Sequence, residues 1–200
     1  MDIKDRISSW FIRNIVLPKV EDISQPGFII IPTTIKKEKI NMRELFLSES
    51  LIELIENMIS KYIKNGNFSL YSIGKKFGYT YSYLSDFPTI NNKKIETFAY
   101  FVVRWVEATY ASNIYHKIDI KSKIFSLRMK DYIVCRHNGK GYLVGYGGIA
   151  GIWSYVMQDL TIEAVQPKCQ GRGDKECLVI AAPYETLIKM GYKPIRCEEI

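Results

Sequence analysis

The feature that most constrains the fold is a change of hydrophobic period near Asn113. Before it, apolar residues recur at helical spacing; after it they fall into short β-rich runs. Residues 42 to 112 read as helical throughout. Ser50-Leu51-Ile52-Glu53 has the form of a capping box, and Leu51, Leu54, Ile55, Met58, Ile59 and Tyr62 make an apolar stripe that Asn65-Gly66 ends. A second helix is predicted over residues 70 to 84, before Asp86-Phe87-Pro88. A third is predicted over 92 to 111, with Ile95, Phe98, Ala99, Val102, Trp105, Val106 and Thr109 on one side and Phe101 and Val103 widening that face.

Beyond Asn113, "NIYHKIDI", "KIFSLRM" and "DYIVCRH" are read as strands, and Asn138-Gly139 is a strong turn signal. The glycine-rich "GYLVGYGGIAGIWSYVM" holds a helix from about Gly148, and two last strands are expected over 160 to 168 and 176 to 182. N-terminal helices packed on a mostly antiparallel twisted sheet with one inserted helix is an α+β fold. The predicted organisation is a single domain over 41–200, preceded over 1–40 by a short helix with Ile7, Trp10, Phe11 and Ile15 on one side and by the extended arm "FIIIPTTI".

Two hundred residues suffice for one domain with a sizeable core. No apolar run approaches the roughly 18 residues that span a bilayer, and "MDIKDRISSW" does not read as a leader, so the expected location is the cytoplasm and no membrane span is expected. The net charge of +7 is scattered, with Lys36-Lys37-Glu38-Lys39 and Lys93-Lys94 its densest stretches. Such a surface does not by itself predict a nucleic-acid site. Catalysis is equally unsupported. "GYGGIAG" lacks the Lys-Ser/Thr of a phosphate-binding loop and the acid of a dinucleotide site, and no nucleophile–base constellation can be placed.

The loop "CQGRGDKEC", residues 169 to 177, joins the last two strands. Its glycines permit a tight connection, and Arg172-Gly173-Asp174 reads as turn composition rather than an adhesion ligand. Cys169 and Cys177 are placed to share a metal or close a disulfide, with a reducing cytosol weighing against the latter.

At this point the stretch from Gly145 to Ile180, "GYGGIAGIWSYVMQDLTIEAVQPKCQGRGDKECLVI", resembles the C-terminal signature of the 4-vinyl reductase domain family, through Gly147 to Gly151, Cys169, Gly173-Asp174 and Cys177. Upstream, "LYSIGKKFGYTYSYLS" and "VVRWVEATYASNIYHKIDI" extend the resemblance over roughly residues 43 to 182. It implies a fold shared with TRAPP vesicle-tethering subunits and haem nitric-oxide sensors, binding of a hydrocarbon or other small molecule, frequent dimerisation and a transcription-regulator partner. It also implies four zinc ligands in the members that bind the ion. Here the early cysteine position falls on Leu143 or Val144 and the glutamate position on Gln166, which leaves Cys169 and Cys177. Glu163 lies at an odd offset on the same strand and points elsewhere, while Cys135 and His137 serve only if register brings them near. The expectation is an incomplete zinc site whose cysteines persist as a reduced pair or a facultative disulfide.

The ligand site is then expected among the helices. Tyr71, Phe77, Tyr79, Tyr81, Tyr83 and Phe87 crowd one segment, where Gly74 and Gly78 permit close approach of another element. Most of these rings are expected to pack in the core. Phe77, Tyr83, Phe98, Phe101, Trp105 and Trp153 are the candidate wall of an apolar cavity, and His116 is read as structural. The predicted function is a small-molecule binding or sensory module for a hydrophobic or aromatic ligand. The alternative is a dimerisation adaptor resembling TRAPP subunits, and a reductase-like enzyme is a distant third. The apolar arm and the resemblance predict a homodimer with helices of the 43 to 112 region at its interface.

Overall fold

The computed structural model describes residues 49–91, 111–133, 135 and 141–197, the backbone of 30–34 and 41–45, and the positions Ile7, Trp10, Ile95, Glu96, Ala99, Tyr100, Val103 and Val106. Within the arm, the segment over residues 30–34 is extended. It pairs antiparallel as β1 (Ile30–Thr34) with β2 (Asn41–Leu45). The expectation of helix from residue 42 is therefore corrected at this end: Met42 to Leu45 satisfy their backbone groups across a hairpin instead.

Helix α1 (Glu49–Tyr62) follows, and Ser50 lies inside it rather than capping it. Asn65 adopts the left-handed conformation (φ 59°) that ends α1 and starts α2 (Gly66–Leu84). The α1 stripe differs from expectation in its direction. Leu54, Ile55, Met58 and Tyr62 are exposed, whereas Glu56 is buried. Its carboxylate accepts the Val144 N–H at 3.0 Å, one of the donors that a helix start leaves without an intrahelical partner. Positions 95, 96, 99, 100, 103 and 106 are helical, with Ile95, Ala99 and Val103 buried.

The period change at Asn113 marks the start of the sheet. Strands β3 (Ser112–Asp119), β4 (Ile124–Lys130), β5 (Ile162–Lys168) and β6 (Cys177–Pro183) form an antiparallel sheet in the order β3-β4-β6-β5. "DYIVCRH" is not a strand in its described residues. Asp131 turns left-handed (φ 51°) at the end of β4, and Cys135 is helical in conformation. Asn138-Gly139 and His137 lie outside the described residues.

Helix α3 (Leu143–Met157) is the inserted helix and packs on β5 and β6 with one side and on α2 with another. The α2–α3 contact is made by backbone. A Cβ on Gly78 would stand 2.2 Å from the Gly148 carbonyl oxygen, and one on Gly151 would stand 2.0 Å from that of Lys75. The element that the spacing of Gly74 and Gly78 admits is thus α3, itself rich in glycine. Chain order closes with α4 (Tyr184–Lys189), a helix not foreseen from sequence, and a tail over 191–197 that runs back to α2 and β5. No helix among the described residues is long and apolar enough to cross a membrane.

Candidate metal centre and ligand cleft

The β5–β6 loop is built around its first cysteine. The Cys169 carbonyl accepts the N–H groups of Arg172 (2.9 Å) and Asp174 (3.2 Å), and the Cys169 N–H donates to Asp174 Oδ2 at 2.8 Å. Gly173 completes the turn at φ 91°. Gln170 Oε1 accepts the Asp131 N–H at 2.6 Å, tying this loop to the turn that carries Cys135.

Three thiols consequently converge. The Sγ atoms of Cys135, Cys169 and Cys177 all lie within 4.8 Å of one another, and each residue is completely buried. The sequence-based expectation that Cys169 and Cys177 stand alone is corrected, because the left-handed turn at Asp131 brings in Cys135 where a continuing strand would have carried it away. All four cysteines of the chain are free. Cys177 is held down to about 6, first by its hydrogen bond with Cys135, against the cost of burial, and further by the Gln170 N–H. The same contact and burial push Cys135 up.

Gln166 stands beside this cluster, with Nε2 2.9 Å from Cys135 Sγ and Oε1 accepting the Tyr142 N–H at 3.1 Å. Gly141 makes room for it: the residue is left-handed at φ 90°, and a Cβ there would meet Gln166 Oε1 at 2.7 Å. Glu163 serves another cluster, as its odd offset predicts.

The donor set fits a thiophilic ion. Zinc–thiolate bonds of ~2.3 Å in a tetrahedron place sulfurs ~3.8 Å apart, so a triad whose sulfurs all lie within 4.8 Å of one another needs at most about an ångström of contraction. Cys135, Cys169 and Cys177 could hold a metal.

Next to the triad is an open cleft of about 250 Å³ lined by Tyr146, Ala164, Val165, Gln166, Pro167, Tyr192, Lys193 and Ile195. One wall is β5, an outer strand of the four-stranded sheet, and the other is the C-terminal tail.

The tail is anchored through a buried ion pair that sequence reading missed. Lys75 Nζ lies 2.8 Å from Glu163 Oε1, with both side chains buried. The ammonium also donates to the carbonyls of Cys197 (3.0 Å) and Leu160 (3.3 Å). Glu163 accepts from the Cys197 N–H at 2.8 Å and from the Tyr71 hydroxyl at 2.6 Å, and that hydroxyl in turn accepts the Ala164 N–H at 2.8 Å. Burial pushes the Glu163 carboxyl up, while Lys75, Tyr71 and the Cys197 N–H oppose it. A lysine between two glycines that contact a helix backbone was the available signal for this cluster.

The proposed cavity wall is distributed. Trp153 is buried, stacks on Phe125 of β4 at 5.1 Å, and donates its indole N–H to the Lys123 carbonyl at 2.8 Å. Phe77 is 63% exposed and stacks on Tyr81, while Tyr83 meets Tyr155 edge-on. Phe98, Phe101 and Trp105 lie outside the described residues.

No family model matches the chain, and no curated protein matches it. Among solved structures, the phenol-responsive sensory domain of the transcription activator PoxR, determined with phenol, is similar over 92% of this chain and 92% of that chain, with TM-score 0.58 and 13% identity. Subunit 3 of a trafficking protein particle complex from Naegleria fowleri, covalently bound to palmitic acid, is similar over 67% of this chain and 93% of that chain, with TM-score 0.47 and 15% identity. The chain shares the α+β fold of the PoxR sensory domain.

Proposed function

We propose that the protein is a non-catalytic sensory module of the 4-vinyl reductase type, which binds a small hydrophobic or aromatic molecule and reports it to a transcription-regulator partner. The observation that carries this reading is the end-to-end likeness to a domain that responds to phenol. The ligand is placed in the cleft, where Tyr146, Tyr192 and Ile195 offer apolar contact and the tyrosine hydroxyls and Gln166 offer polar anchors. A second location is the neighbourhood of Ala99, whose sequence neighbours include Phe98, Phe101 and Trp105. Zinc is the proposed occupant of the thiol triad, where it joins the Cys135 turn to the β5–β6 loop beside the cleft.

Native mass spectrometry for a co-purifying lipophile, followed by phenol titration calorimetry, tests this reading. With the ligand in the cleft, Ile195→Ala weakens binding about tenfold through lost apolar contact, and Ala99→Phe leaves it unchanged. The reverse result places the ligand at Ala99. Absence of any lipophile or phenol binding overturns the sensory reading.

A dimerisation adaptor is favoured by one observation, the outward apolar side of the first two helices. Met58 of α1 is 51% exposed, and Leu54, Tyr62, Ile73 and Phe77 are exposed with it. A second copy of the chain is the proposed cover. Met58→Glu is expected to weaken self-association at least about tenfold, read by light scattering. A wild-type monomer at micromolar concentration would count against any dimer.

A further inference from the structure

Gln166 occupies the position beside the thiol triad where the resemblance implies a carboxylate ligand. Its amide orientation is decided by a neighbour that has no choice. The Tyr142 backbone N–H can only donate, so the atom 3.1 Å from it must be Oε1. The NH₂ group therefore faces Cys135 Sγ at 2.9 Å. Turning the amide over would set NH₂ against N–H and lose the hydrogen bond from Tyr142. An amide NH₂ has no free lone pair for a metal. The one ligating atom of Gln166 is engaged by the main chain of the α3 approach, and Gly141, tight against the same oxygen, holds it there.

We propose that a metal bound by Cys135, Cys169 and Cys177 takes these three ligands alone among the described residues, and that Gln166 leaves its fourth position to an exogenous donor. Gln166 acts as a positioning residue, donating N–H to the Cys135 sulfur and so helping to disperse the negative charge of three thiolates on a divalent ion. Gln166 also lines the cleft with Tyr146 and Pro167. Contents of the cleft are therefore one side chain away from the sulfurs. Small monodentate donors of borderline or soft character, an imidazole or a thiol, are the chemical class that suits such a position. A closed four-ligand structural site lacks this property; an open position is the usual feature of sites that exchange ligands. The inference rests on the metal-binding reading above and specifies its coordination.

The test uses the full chain, stripped of metal and reloaded anaerobically with cobalt(II), whose visible ligand-field bands report its coordination. Imidazole, and separately 2-mercaptoethanol, are titrated into the loaded protein. The expected result is a saturable shift of those bands with the sulfur-to-cobalt charge-transfer absorption retained, showing that the ion stays on its thiolates. Gln166→Glu supplies an internal carboxylate and is expected to alter the starting bands and abolish the response. Cobalt uptake through thiolates with no response to either donor overturns the open position while leaving metal binding intact. A response that appears only in His137→Ala overturns it too, by identifying a protein ligand. Failure to take up cobalt overturns the metal reading along with it.

Discussion

Lys75→Met is expected to lower folding stability by roughly 3–5 kcal/mol, the usual cost of removing one member of a buried ion pair. Glu163 would remain buried with the Tyr71 hydroxyl and the Cys197 N–H but without its cation, and the carbonyls of Leu160 and Cys197 would each lose a donor. Against a total of about 5–15 kcal/mol for an ordinary domain, that is a large fraction. Glu163→Leu should cost a similar amount by stranding the ammonium. The double variant Lys75→Met/Glu163→Leu is expected to recover much of the loss, because an apolar pair of similar volume has no charge to desolvate. Urea unfolding of the four proteins measures this as a coupling energy. Single variants costing less than about 1 kcal/mol, as an exposed pair would, would remove Lys75 and Glu163 as the anchor of the tail. Because Cys197 contributes both its N–H and its carbonyl, the same single variants should speed amide exchange over 192–197 more than over β3 and β4.

Gly151→Val is the second substitution with a large expected effect. Even the first added carbon would stand 2.0 Å from the Lys75 carbonyl oxygen and 2.7 Å from the Tyr79 amide nitrogen, both backbone atoms of α2. A flexible side chain could swing aside; a helix backbone cannot. The helices must separate, undoing the approach at Gly74, Gly78 and Gly147 together. Overpacking typically costs 1–3 kcal/mol, and this site is expected at about 3 kcal/mol or above, or roughly 6–12 °C in melting temperature for a chain of this size. Gly148→Ala is the control on the same helix, because a Cβ there meets nothing closer than the Gly74 carbonyl oxygen at 3.8 Å. Equal losses in the two variants would overturn the close approach as the cause, since helix propensity by itself favours either replacement over glycine.

Strands β3, β4, β5 and β6 were legible in the residues because alternation, turn glycines and short apolar runs are local signals. The left-handed Asn65, the second helix and the glycine spacing were legible for the same reason. Other features were not, three of them for instructive reasons. The α1 stripe looked like a core face, yet periodicity records only that one side is apolar, and the structure turns Glu56 inward to meet the start of α3. "DYIVCRH" had strand composition, but Asp131 ends the ladder in a left-handed turn. The ion pair joins residues 88 apart in the chain, and Lys75 carries no local mark of its partner.

The sequence by itself determined the α+β class, the helices-then-sheet order, the loop that places Cys169 across from Cys177, and a glycine face at Gly74 and Gly78 open to close approach by another element. These follow from backbone preferences and hydrophobic period, which act over a few residues. Only the tertiary structure decided that Cys135 joins the loop cysteines, that Gln166 turns its NH₂ toward sulfur, and that the C-terminal tail is bound to α2 and β5 through Lys75 and Glu163. Each depends on where a distant backbone donor or acceptor comes to rest, and that position is set by packing of the whole chain rather than by any segment of it.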